Sequence, residues 1–175
     1  MKTTKILSLF AFTLILVFSS CEDKITNKDL QFNSWALGCR SFSVYKINAD
    51  NTLGIAVIGN REKLFLSTEE QIFYLSETKQ DELKVVLQKY NFEASSHFCS
   101  DYNIVGSKLL DTWTAISGNV KAKITQDAEN IPPKIGEVYK VDVTIENVIL
   151  KNSKGNKIFI QHLEFLDVWV NILLG

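Results

Sequence analysis

Past residue 34 the chain alternates apolar and polar positions over short runs, and clusters of Asn, Asp, Ser and Gly interrupt it. Such a pattern predicts strands joined by tight turns. Trp35 to Ile47 reads as a first strand with Phe42 and Val44 on one face, and with changes of phase at Leu37, Cys39 and Tyr45. Asn48-Ala49-Asp50-Asn51 has the side chains that close turns on their own backbone, so Leu53 to Ile58 is expected to fold back as a hairpin. Gly59-Asn60 is a further turn. Lys63 to Ser67 and Gln71 to Ser76 read as two strands around Ser67-Thr68-Glu69-Glu70. Leu83 to Tyr90 fits two periods: Leu83, Val86, Leu87 and Tyr90 share a helical face, while Leu83, Val85 and Leu87 share a strand face. The β-branched pair Val85-Val86 favours the strand. Asn91 to Lys108, the least regular part, is expected to be a long loop.

The last third has the clearest alternation. Trp113 to Ser117 and Val120 to Thr125 read as a hairpin about Gly118-Asn119. Ile131-Pro132-Pro133 cannot enter a central strand and marks a connection. Val138 to Leu150 places Val141, Val143 and Ile145 on one face, and its phase slips near Asn147, as at a bulge. Asn152 to Asn156 is a turn into Lys157 to Leu174, which slips again between Phe165 and Leu166 and pins the carboxyl end in a sheet. Roughly eight or nine strands with short turns predict an all-β, antiparallel β-sandwich or a barrel-like Greek key, formed by a single β-rich domain over residues 34–175.

The amino terminus follows a different pattern. Lys2 and Lys5 precede an apolar run from Ile6 to Phe18, broken only by Ser8 and Thr13, and Ser19-Ser20-Cys21 follow. A charged start, an apolar core and small residues before a cut site make a secretory signal peptide over residues 1–20. The run is shorter than the roughly 20 residues a spanning helix needs. Phe18-Ser19-Ser20-Cys21 resembles the lipobox of bacterial lipoprotein signals, with Phe18 at the position where Leu is most frequent. The resemblance covers residues 1–21. It implies that Cys21 becomes the first mature residue and carries lipid, palmitate included, on its thiol and amine. It also implies a membrane partner through that lipid and a place in the cell envelope, at the outer membrane. Glu22-Asp23 fits either a surface-export or an inner-membrane retention signal. Residues 21–33 read as a polar tether.

Composition narrows the function classes. The 175 residues less the first 20 leave 155, enough for one domain with a sizeable core. The 19 Lys and Arg less Lys2 and Lys5 leave 17 against 20 Asp and Glu, a balance of −3. No basic surplus points to nucleic acid. With Cys21 acylated, Cys39 and Cys99 remain, and an even pair in an exported chain predicts a disulfide. Closing a loop of about 60 residues is worth on the order of 4 kcal/mol in the chain-entropy picture.

Candidate chemistry is sparse. His97, Cys99 and Asp101 alternate along one segment and would present N, S and O donors to one side if extended, the sharpest metal hypothesis in the chain. A Cys39–Cys99 bridge competes with it and is the favoured reading. Ser43-x-x-Lys46 and Ser76-x-x-Lys79 match a serine-lysine pattern, but Ser43 lies in a strand rather than at a helix start. His162 reads as a strand histidine facing water. Glu69-Glu70 and Asp81-Glu82 read as solvated turns, and Trp35, Trp113 and Trp169 as core residues before a sugar platform. No cofactor is expected. The chain as a whole is expected to be an envelope-anchored, non-enzymatic module that binds a protein or glycan, or has a structural role. The alternatives are an envelope hydrolase or metal-binding protein using His97 and Asp101, and an immunity or inhibitor-type lipoprotein.

Overall fold

Alternation in the sequence becomes eight strands: β1 (Leu37–Cys39), β2 (Ser43–Ile47), β3 (Leu53–Gly59), β4 (Gln71–Ser76), β5 (Leu83–Tyr90), β6 (Leu109–Gln126), β7 (Val138–Asn152) and β8 (Lys157–Asn171). The structure is a computed structural model and describes residues 25–39, 42–60, 66–78, 82–99, 104–126 and 137–171. All pairings are antiparallel. The sheet order is β1-β2-β3-β5-β6-β7-β8, with β4 also pairing β6, and the sheet curls into a half-barrel. The all-β expectation therefore holds in its barrel-like form, as one sheet rather than two packed layers. Leu83 to Tyr90 is a strand, hydrogen-bonded between β3 and β6.

Three local devices curl the long strands. Asn147 has φ 52° and Asp167 has φ 54°. The β6–β7 ladder shifts near the first and the β7–β8 ladder near the second. Both bulges fall at the phase slips in the sequence, and each adds twist to its strand. The third device is Gly118, at φ 115°. A Cβ there would lie 2.7 Å from the Val148 Cα and 2.8 Å from the Asn147 carbonyl oxygen, so only glycine fits. The turn expected at Gly118-Asn119 is a bend instead. β6 runs through it, pairing β5 on one side of the bend and β4 on the other.

Two asparagines close the tight hairpins. Asn48, buried between β2 and β3, accepts hydrogen bonds from the Thr52 and Leu53 amides at 3.0 and 2.9 Å. Asn152, buried between β7 and β8, accepts from the Lys154 and Asn156 amides at 3.1 and 2.8 Å and donates to Asp111 at 2.9 Å. Trp35 to Ile47 is not one strand. The chain reverses around Phe42, whose φ is 63°, and β1 pairs back on β2. Lys63 to Phe65 and Ile131-Pro132-Pro133 lie outside the described residues, and Leu66 and Ser67 are not in a strand.

The concave side holds the main core. Val44, Ile55, Val85, Leu87, Val120, Val141, Ile145, Leu150 and Phe165 are all but inaccessible there. Ile25, Leu30, Phe32 and Ala36 pack against the same core. The tether expected over 21–33 is thus docked in its described part. Thr26 donates its amide and hydroxyl to Asp29 at 2.7 and 2.8 Å, which holds the Asp29 carboxyl below its ordinary range. Phe32 bridges to Asn48. At the seam where β1 meets β8, Gly38 lies against the Trp169 carbonyl and the Val168 and Val170 side chains, leaving no room for a Cβ.

A second, smaller core lies on the convex side of β2, β3 and β5. Tyr45, Ile47, Ala56, Val86 and Tyr90 are buried there under the loop after β5. That loop starts with a 3-10 turn, Ala94–His97. Ala94 donates its amide to the Asn51 carbonyl at 2.8 Å, and Ser95 donates its amide to the Asn51 side chain at 2.9 Å. Phe98 stacks on Tyr45 with ring centroids 5.2 Å apart.

Candidate binding surface

Cys39 and Cys99 form the expected disulfide, with Cα atoms 5.7 Å apart. It fastens the convex loop to β1. This commits the Cys99 sulfur and removes the thiolate from the His97, Cys99 and Asp101 donor set. His97 is also engaged: its ring stacks on Tyr90 with centroids 4.2 Å apart, and Nε2 lies 2.7 Å from the Ser107 hydroxyl. That hydroxyl donates to the Phe92 carbonyl at 2.7 Å, so the imidazole supplies the proton of its own bond to Ser107. Asp101 and Cys21 lie outside the described residues. Among the described residues no group of three His, Cys, Asp or Glu side chains is placed to hold a metal.

The serine-lysine pattern does not assemble at Ser43. Three positions apart on a strand, Ser43 and Lys46 point to opposite faces. Lys46 is buried and donates to the Ser34 carbonyl at 2.9 Å. Burial lowers its pKa, against a smaller opposing pull from Glu164. Lys79, partner of Ser76 in the second match, lies outside the described residues.

The tryptophans divide. Trp113 is in the core, with its Nε1 unpaired among the described residues. Trp35 and Trp169 are 52% and 47% exposed, which corrects the expectation that both are buried. Trp169 is outward because the bulge at Asp167 resets the phase of β8, and Lys140 lies 4.9 Å from its ring centroid on the neighbouring strand.

The outer face of β6, β7 and β8 is the polar counterpart of this packed interior. Lys121 meets Glu146 at 2.9 Å, Lys123 meets Asp142 at 3.8 Å and Lys140 meets Asp167 at 3.9 Å. His162 faces water, as expected, 3.3 Å from Glu164. The Glu146 carboxylate raises the Lys121 pKa by accepting its hydrogen bond. Between these pairs runs an open groove of about 190 Å³, lined by Glu70, Lys121, Lys123, Asp142, Thr144, Glu164 and Leu166. Sequence reading did not find this groove. Its residues are scattered along the chain, and only strand register brings them together; outward positions on the strongly alternating β7 were the available signal.

No protein-family model matches the chain, and searches of curated proteins and of solved structures return no match.

Proposed function

We propose that this is a lipid-anchored protein of the bacterial cell envelope whose half-barrel is a non-enzymatic binding module for a protein or glycan. The observation that carries the binding reading is the place of the groove. Among the described residues the concave side packs the buried apolar cluster, and the groove described above lies on the outer sheet face with both signs of charge along it. A shallow face of paired charges selects a partner by complementary charge and shape. The hydrolase or metal alternative draws no support from His97, which is stacked and hydrogen-bonded, or from Cys99, which is bridged. The anchor reading rests on Lys2, Lys5, the apolar run and the Ser-Ser-Cys that ends it.

A photo-crosslinking residue placed in living cells at Thr144 or Leu166, in the groove, tests the binding reading. A discrete adduct from these positions, and none from Ser153 in the β7–β8 turn, is the expected result. Absence of any adduct from the groove positions at normal expression would contradict it.

A further inference from the structure

We propose that one end of the half-barrel is a membrane-docking face, which rests on the headgroup layer of the bilayer that holds the lipid on Cys21. The inference builds on the anchor reading above and adds an orientation.

Strand directions define this end. β2, β5 and β7 finish there, and β3, β6 and β8 begin there. It carries the β2–β3 turn, residues 91–93 and 104–108 between β5 and β6, and the β7–β8 turn. The first described residues dock at the same place: Phe32 bridges to Asn48, and the Asp29 carboxyl lies near enough to Lys89, at the end of β5, to be lowered by its charge. Ile25 follows Cys21 by four positions in the chain. Whatever path the backbone takes between them, it spans at most about 14 Å. The domain is therefore held against the bilayer by this end, not suspended from a long tether.

The side chains here suit that neighbour. Val105 is 96% exposed at the tip of a turn, with Phe92 packed beneath Gly106 in the same turn. Leu109 and Leu110 open β6 half-exposed, and Phe159 projects from β8 at 57% exposure. Exposed large apolar residues gathered at one place mark an interaction surface, and chains of this size enter the boundary between headgroups and acyl chains. Exposed Lys28, Lys108, Lys154 and Lys157 can reach headgroup phosphates, while among the described residues Asp50 and Glu93 are the exposed acids at the same end. The lipid supplies the attachment, the exposed lysines favour headgroup phosphates, and the apolar residues set which end faces down. The groove on β6–β8 then opens sideways along the envelope.

The test uses the full acylated protein, reconstituted in vesicles of phosphatidylethanolamine with a minority of phosphatidylglycerol. An environment-sensitive fluorophore is attached through Val105→Cys or, as a control on the outer face of β4, through Tyr74→Cys. The 105 label is expected to be shielded several-fold from aqueous iodide relative to the 74 label, and to be quenched by a nitroxide carried on the lipid. Equal iodide access at both positions, in protein shown to contain palmitate, would overturn the docking face and leave the anchor standing. Failure of palmitate to enter the wild-type chain would overturn both.

Discussion

The two halves of this sheet solve the same burial problem in opposite ways. β2, β3 and β5 bury apolar side chains on both faces: one lines the main core, and much of the other is covered by the loop that Cys99 ties to Cys39. β6, β7 and β8 bury one face only and spread Lys, Asp, Glu and Thr over the other. Strands with two covered faces lose the alternation that reveals a strand, whereas half-buried strands keep it. The doubly covered half depends on a covalent bridge and a fitted loop. The other half depends on long ladders, bent at Gly118, Asn147 and Asp167 to wrap the core. Free outer surface, and with it the groove, belongs to the second half.

The largest break in that contrast comes from the bridge. Replacing Cys39 and Cys99 together by alanine is expected to cost about 4 kcal/mol of unfolding free energy. Amide exchange should accelerate first at Ala94 to Phe98 and on β1, while β7 and β8 keep their protection. Uniform loss of protection would mean that the halves do not differ in this way.

Gly118→Val strikes the other half. The added carbons meet backbone atoms of Asn147 and Val148 at a positive φ, and the expected cost is about 3 kcal/mol or more in denaturant titration. Here the β6–β7 ladder should lose protection first. A stability within error of wild type would show that the bend can relax.

Asn48→Ala and Asn152→Ala make a matched pair, one in each half. Each leaves two backbone amides without their acceptor, at an expected cost of about 2 kcal/mol. Asn48→Ala should also loosen the convex loop, because the same turn presents Asn51 to Ala94 and Ser95. Asn152→Ala should leave that loop untouched.

Alkaline pH gives a graded effect. Burial pushes the Tyr139 phenol up to about 12 from its ordinary 10.0. Below pH 10 both folded and unfolded chains hold this proton, and its contribution to stability is fully present. Between pH 10 and about 12 the unfolded chain releases the proton first, so stability falls by on the order of 2 kcal/mol. Burial raises Tyr45 and Tyr90 in the same direction. Tyr139→Phe should flatten part of the fall in unfolding midpoint over that window, and an unchanged slope would contradict the assignment.

The smallest effect is expected on the outer charges. Lys121→Ala removes an open surface pair and should leave the unfolding midpoint close to wild type. The same change should weaken crosslinking from Thr144 if the groove recognises a charged partner.

How much could be read in advance follows the same division. The bulges at Asn147 and after Phe165 were legible because each flips an alternation that is otherwise regular. Gly118-Asn119 misled because glycine beside asparagine has the same local chemistry in a reversal and in a bend, and only strand partners separate the two. The break around Phe42 was hidden in a stretch without clean alternation. The docking of Ile25, Leu30 and Phe32 was missed because polar neighbours dominate that segment. The Cys39–Cys99 bridge was legible from the even pair that remains once Cys21 is assigned to the expected lipidation. The groove was not, because it is assembled across three strands and a turn.

Intact mass spectrometry of the protein extracted from membranes with mild detergent tests the anchor and the staple together. The expected species begins at Cys21, carries acyl chains, and is lighter by two hydrogens than the same chain after reduction. A water-soluble chain without lipid would contradict the proposed anchor, and a chain whose Cys39 and Cys99 both take an alkylating reagent before reduction would contradict the staple.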